Sequence, residues 1–282
     1  MKIGLIDIDS KIPNLALMKL SAWHKRQGDP VEFYMPLWNY DKVYASKIFN
    51  FSLLPEMPIE TIKGGTGFDL ENKLPEEIEN IYPDYSLYRC DYAMGFITRG
   101  CLRKCSFCVV PQKEGHIKKV SDISQFWNGQ SHIMLLDNNL TAHLDCIEIL
   151  RDLKKTKARI DFNQGLDLRL ISPEIATELS TIKLWKQIHF AWDDVRLEKS
   201  IKNGIDILIA NGVKQHKIMV YVLIGFNSTQ EEDLYRVLKL REWGVDSFVM
   251  PFDKKDSYQK KFARWVNHKA IFKTVKWTNY VA

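Results

Sequence analysis

At 282 residues, 45% hydrophobic and 27% charged, the chain can bury a full core in one large domain or in one domain with a smaller companion, which excludes a disordered or fibrous protein. No run of about eighteen apolar residues exists to span a membrane, and the start MKIGLIDIDSK has an apolar run too short and too acidic for a signal peptide, so a cytoplasmic protein is expected. The net charge is +5, but residues 253 to 282 hold eight Lys or Arg against two Asp, so the basic character belongs to the tail.

In chain order, KIGLIDID is an apolar run fit for a buried parallel strand. IPNLALMKLSAWHKRQG then predicts a helix, with Pro13 near its first turn and Gly28 closing it. Further strands are expected at VEFYM, KVYASKIF and IETIKGG, so this part reads as a small open α/β sheet. NKLPEEIENIYPDYSLY, with Pro75 and Pro83, reads as a connector, and the first domain is placed at residues 1–85. From there YAMGFIT, HIMLLD, RIDFNQ, KQIHFAW, KIMVYVLIG and DSFVMPF recur as strands with helical text between them.

The helix HLDCIEILRDLKK carries Leu144, Ile147, Leu150 and Leu153 at every third position, and TQEEDLYRVLKLREWG starts acidic and ends at Gly244. A single helix is expected over KKFARWVNHKAIFKTV. Six strand-helix units in series predict a parallel sheet with helices outside, curled into a full or incomplete barrel over residues 86–252. In such sheets the chemistry sits at the carboxyl ends of the strands.

Just after the first of these strands comes GCLRKCSFCVVPQKEG, with Cys101, Cys105 and Cys108 inside eight positions. Five cysteines in all, three of them clustered, do not make a disulfide framework and point to a metal or redox site in a reducing compartment. A zinc site wants four ligands, usually from two separated pairs, and no second pair stands nearby. Three thiolates can instead hold three corners of a 4Fe-4S cluster and leave one iron open to a chelating small molecule. The alternative is a structural zinc or iron-sulfur site with Cys90, Cys146 or a histidine as fourth ligand.

CLRKCSFC, with the aromatic Phe107 before its last cysteine, resembles the cluster motif of the radical S-adenosylmethionine (SAM) enzymes. The resemblance covers about residues 90 to 252. It implies a partial (β/α)6 TIM-like barrel behind a small N-terminal Rossmann-like α/β domain, with the 4Fe-4S cluster on Cys101, Cys105 and Cys108. It implies too that SAM chelates the open iron and is cleaved reductively to a 5'-deoxyadenosyl radical, which abstracts hydrogen from a substrate. An electron donor such as flavodoxin or ferredoxin would be a partner.

The same resemblance offers further cofactor-binding positions. Asp137, Asn138 and Asn139 stand where the family often has a Gly-Gly-Glu stretch for the amino group of SAM, and a polar strand-to-helix turn explains them equally. Gln164, Asp167 and Arg169 fall near the barrel mouth, where a guanidinium could pair the methionine carboxylate; a salt bridge from Arg169 to Asp167 is the alternative. Asp193 could accept from ribose hydroxyls, with Asp194 equally a helix cap, and Gly225 would let a ring approach the backbone beside adenine.

The motif is similar to those of tRNA methylthiotransferases and of radical SAM enzymes with a cobalamin-binding front domain. The front domain lacks the three extra cysteines of the first. It also lacks the Asp-x-His-x-x-Gly text of the second, so cobalamin is not expected. In the tail, 253–282, Tyr258, Phe262, Trp265, Phe272, Trp277 and Tyr280 interleave with the basic residues, which fits either nucleic-acid binding or a helix packed on the barrel. The expected protein is a radical SAM enzyme with one cluster and an unidentified substrate, nucleic acid or a phosphorylated small molecule among the candidates. Its competitor is a non-catalytic metal-bearing module that binds nucleic acid.

Overall fold

In the computed structural model, which describes residues 1–281, the first apolar run becomes strand β1 (Ile3–Asp7). Asn14 caps helix α1 (Leu15–Arg26) by accepting the Leu17 amide, and Gly28, at φ +82°, follows its end. Strands β2 (Val31–Phe33), β3 (Lys42–Ser46) and β4 (Ile62–Gly64) join β1 in a parallel sheet of order β2-β1-β3-β4. Burial drives the assembly: Leu17 and Leu20 on one face of α1 pack with Ile3 and Leu5, and Ile78 completes that core.

Ile78 belongs to the stretch expected as a connector. That stretch carries a short helix, α2 (Glu76–Glu79), and a 3-10 turn over Tyr85–Tyr88. Asp84 tethers it to α1, accepting from Ser21 Oγ at 2.6 Å and from Lys25 Nζ at 2.6 Å. There follow β5 (Ala93–Gly95), β6 (Thr98–Arg99), α3 (Val110–Lys113) and β7 (Lys118–Lys119), with β6 and β7 antiparallel. The chain divides into two compact units, Met1–Met134 and Leu135–Ala282, and β8 (His132–Leu135) runs into the second.

The second unit alternates α4 (Cys146–Lys155), β9 (Arg159–Phe162), α5 (Pro173–Thr181), β10 (Ile188–Ala191), α6 (Glu198–Ala210), β11 (Ile218–Ile224), α7 (Gln230–Glu242) and β12 (Asp246–Pro251). Strands β10, β11 and β12 form a parallel sheet in that order. Along β11 the side chains divide by the period of two: Ile218, Val220, Val222 and Ile224 are fully buried, whereas Met219, Tyr221 and Leu223 are half-exposed on the other face. The architecture is thus mixed α/β with parallel sheets in both units.

Two sequence expectations are corrected. The buried face of α4 is Cys146, Ile149, Leu150 and Leu153, while Leu144 precedes the helix and is 99% exposed. A strict three-residue repeat drifts around a helix of 3.6 residues per turn, and packing selected the mixed spacing of three and four. The expected single tail helix is two, α8 (Ser257–Asn267) and α9 (Lys269–Thr274), broken at His268, whose ψ of 88° is not helical. The break turns α9 back, so that Trp265 Nε1 donates to the Val275 carbonyl at 2.9 Å and Phe272 meets Trp265 edge-on.

Candidate active site

The cysteine loop is an insert between the antiparallel strands β6 and β7. Its neck is closed by Cys101 N–H donating to the Gly115 carbonyl at 3.1 Å. Gly100 is required there: it sits at φ +91°, and a Cβ would lie 2.3 Å from the His116 carbonyl oxygen. Arg99 braces the neck by donating to Glu114 at 3.0 Å and to Glu79 at 2.8 Å. Within the loop Cys108 N–H donates to the Cys105 carbonyl at 3.0 Å, and Arg103 N–H points at Cys101 Sγ at 3.3 Å.

Cys101, Cys105, Cys108 and Phe107 are all half-buried, and none of the cysteines is in a disulfide. Among the described residues no three His, Cys, Asp or Glu side chains are already gathered closely enough to hold a metal ion. The donor chemistry nevertheless fits an iron-sulfur cluster: three reduced thiols share one short loop whose ends are pinned by backbone hydrogen bonds. The two remaining cysteines differ. Burial pushes the Cys146 thiol up to about 12 on the core face of α4, and it also raises Cys90, whose Sγ donates to the Tyr92 carbonyl at 3.2 Å. Both are held as neutral thiols at neutral pH, which makes them poor ligands.

In the second unit, Asp137 and Asn139 are buried after β8 and Asn138 is half-buried. Thr141 Oγ1 donates to Asn139 Oδ1 at 2.9 Å and accepts the Asp167 amide at 3.1 Å, which fixes the turn after β8 to the turn after β9. Arg169 makes a two-pronged pair with Asp167, Nε to Oδ1 at 2.7 Å and an Nη to Oδ2 at 2.9 Å, so the salt bridge posed as its alternative is present. Gln164 is exposed and donates to Asn163 Oδ1. Asp193 accepts the Leu223 amide at 3.1 Å, and burial raises its carboxyl above the usual range against the pull of Arg236 and Arg169. Asp194 caps the turn after it, accepting from the amide and guanidinium of Arg196.

At Gly225 the group that approaches the backbone is protein. The residue sits at φ +76°, and a Cβ there would fall 2.1 Å from Nε2 of Gln259, a buried side chain of α8 whose Oε1 accepts the Asp253 amide at 2.9 Å. Gly225→Ala should therefore cost about 1–3 kcal/mol, from left-handed strain plus displacement of Gln259. Urea unfolding checks this, and an unchanged midpoint would mean that Gln259 moves aside freely.

Sequence reasoning missed Arg236. It is wholly buried on α7, reaches the carbonyls of Trp192 and Leu223 at 2.9 Å each, and pairs with Asp233 at 2.7 Å. The only local signal was an Asp and an Arg three apart in an amphipathic helix, which ordinarily marks a solvated face.

No family model matches the chain. A tRNA-2-methylthio-N(6)-dimethylallyladenosine synthase from a Hydrogenobaculum species is 24% identical over 258 residues, covering 80% of this chain and 57% of the relative. A ribosomal protein uS12 methylthiotransferase from Hahella chejuensis is 24% identical over 186 residues, covering 58% of this chain and 38% of the relative. Both are methylthiotransferases, which are radical SAM enzymes. The chain is a distant relative of radical SAM enzymes. It spans about half the length of the curated relatives it matches. Methylthiotransferases use 4Fe-4S clusters and SAM and do not use cobalamin. Among the described residues no helix is long and apolar enough to cross a membrane.

Proposed function

We propose that the chain is a radical SAM enzyme with a single catalytic 4Fe-4S cluster held by Cys101, Cys105 and Cys108. The observation that carries this reading is the cysteine loop itself, three reduced thiols pinned between β6 and β7 by a neck that needs Gly100, in a chain related to methylthiotransferases. Bound there with SAM, the cluster would supply the electron that cleaves the cofactor's carbon-sulfur bond and frees a 5'-deoxyadenosyl radical. Phe107 would shield the thiolates. In the same reading Asp137, Asn138 and Asn139 receive the amino group of SAM, Arg169 shares its guanidinium between Asp167 and the methionine carboxylate, Asp193 takes the ribose, and Gln164 lies at the mouth.

We read residues 86–252 as a partial (β/α)6 barrel, 1–85 as a Rossmann-like front domain without a cobalamin ligand, and 253–282 as a helical segment. Within this sequence two cysteines remain beyond the trio, and both are committed elsewhere, so the reading assigns one cluster and leaves the transferred group, if any, unassigned. A reduced flavodoxin or ferredoxin in the cytoplasm would be the electron donor. The substrate is a nucleic acid or a phosphorylated small molecule recognised by the lysines of the tail. Its aromatic rings give no support to base stacking: Phe262, Trp265 and Phe272 are buried, and Trp277 packs against Tyr258, Phe262 and Trp265. The purely structural metal module therefore has less in its favour.

Anaerobically reconstituted protein given reductant and SAM should release 5'-deoxyadenosine and methionine slowly without substrate, because an open iron and an electron suffice for the first step. Clustered, reduced protein that binds SAM yet yields no deoxyadenosine with any reductant would end the enzyme reading.

A further inference from the structure

Inside the second unit, on the strand that leads to Gln164, lies a buried carboxylate with an orphaned oxygen. Asp161 on β9 is 2% exposed, and its Oδ1 has no hydrogen-bond partner. Such an atom is costly to retain unless a proton or a ligand answers it. The nearest candidate is His189 on β10, whose Nδ1 stands 3.6 Å from Asp161 Oδ1 and 3.2 Å from the Phe162 carbonyl.

A carbonyl can only accept, so Nδ1 carries the hydrogen and Nε2 is left as the basic nitrogen. Among the described residues Nε2 has no partner, and it is not closed off from solvent as Asp161 Oδ1 and Ser247 Oγ are. The ring cannot swing away, because it stacks on Tyr221 of β11 at 5.1 Å and 15°. Tyr221 in turn donates to the Asn163 carbonyl and meets the edge of exposed Phe248 on β12. Ile188 and Phe190, the strand neighbours of His189, are fully buried on the opposite face, and His189, itself 9% exposed, shares the other face of the sheet with half-exposed Tyr221 and exposed Phe248.

The geometry points to Asp161 and His189 as an acid-base dyad that exchanges a proton with an N–H or O–H group of a bound substrate. For the identity of that substrate the proposal rests on the enzyme reading above; the dyad itself does not. In the step, Nε2 accepts the substrate proton, the electron pair of the broken N–H or O–H bond stays on the substrate heteroatom, and the imidazolium is balanced by the Asp161 carboxylate. The reverse transfer restores the neutral ring. A carbon radical beside an O–H or N–H acidifies that group, which is where hydrogen-atom removal would need a base. Two other titratable groups bear on the dyad. Lys186 favours the Asp161 anion, and Tyr221, its phenol pushed up to about 12 by burial, stays neutral. Burial raises Asp161 itself, consistent with a shared proton.

Diethyl pyrocarbonate attacks the unprotonated Nε2 and tests this in the full chain, with or without cluster, read peptide by peptide against exposed His216. His189 should react in the folded protein, and its pH midpoint should fall by about one unit, tenfold in proton affinity, in Asp161→Asn. An unreactive His189 beside a reactive His216, or a midpoint unchanged in Asp161→Asn, overturns the dyad. Should that variant fail to fold, the His189 ring titration in the wild type decides by NMR. A titration linked to the Asp161 carboxyl supports the dyad, and independent titrations overturn it. Because neither readout uses SAM, failure of deoxyadenosine formation and failure of the dyad are separate results.

Discussion

Alanine in place of any one of Cys101, Cys105 or Cys108 is expected to take the anaerobically reconstituted protein from about four irons per chain to almost none. In the proposed cluster each thiolate would hold one iron, and the loop contains no fourth cysteine: Cys101 is fixed at the neck by its amide to Gly115, and Cys108 follows a turn onto the Cys105 carbonyl. Alanine at Cys90 or Cys146 should leave the iron count unchanged, since the first thiol is spent on the Tyr92 carbonyl and the second lies in the core of α4. Iron and sulfide assays with the visible absorbance decide it. Stoichiometric zinc without iron, or loss of metal on removing Cys90, would replace the cluster with a structural site.

Arg236→Met should destabilise the fold by about 3–5 kcal/mol, a large share of the total stability of a typical domain. The side chain is wholly buried and each of its three nitrogens donates: to the Trp192 and Leu223 carbonyls, to the Glu232 carbonyl at 3.4 Å, and to the Asp233 carboxylate. Methionine would fill much of the space but strand two carbonyls and leave Asp233, itself 1% exposed, as an unpaired buried anion supported only by Ser228 and Tyr258. Replacing both partners at once, Arg236→Met with Asp233→Leu, should recover part of the loss, because the desolvated anion is then gone. Urea midpoints for the single and double variants measure this. Equal losses in both would mean that the carbonyl contacts, and not the ion pair, set the cost.

The consequence extends to the proposed cofactor side. Trp192 and Leu223 flank Asp193, which accepts the Leu223 amide, so Arg236 fixes the ends of β10 and β11 from which that carboxylate projects. Nothing in the sequence around Arg236 distinguishes it from a surface arginine, because the carbonyls it serves are 13 and 44 residues away. Asp161 and His189 were equally hidden. Each sits in a strand read for its apolar neighbours, and only the folded arrangement of β9 and β10 brings the two together.

What could be read in advance was local. KIMVYVLIG became β11 because a strand buried on one face and partly covered on the other is apolar throughout. The acidic start of TQEEDL marked the first turn of α7, where the structure adds a capping box in which Thr229 and Glu232 satisfy each other's backbone amides. The thiol trio stands out in the sequence because its three cysteines lie within eight residues. Leu144 was misplaced because periodicity alone does not say where a helix begins, and the break at His268 was missed because no Pro or Gly announces it.

The neck at Cys101 and Gly115 separates the tolerance of the cysteine loop from that of the sheet beneath it. Entry and exit of this insert are one hydrogen bond apart, so to the strands it is merely the tip of a hairpin. Doubling the length of such a tip costs only about 0.6 kcal/mol in closure entropy. Loop residues outside the cysteine spacing can thus be exchanged, lengthened or recruited toward different substrates while β6 and β7 keep the same register, whereas Gly100 permits no comparable freedom. Diversification would be written into the loop and conservation into its hinge.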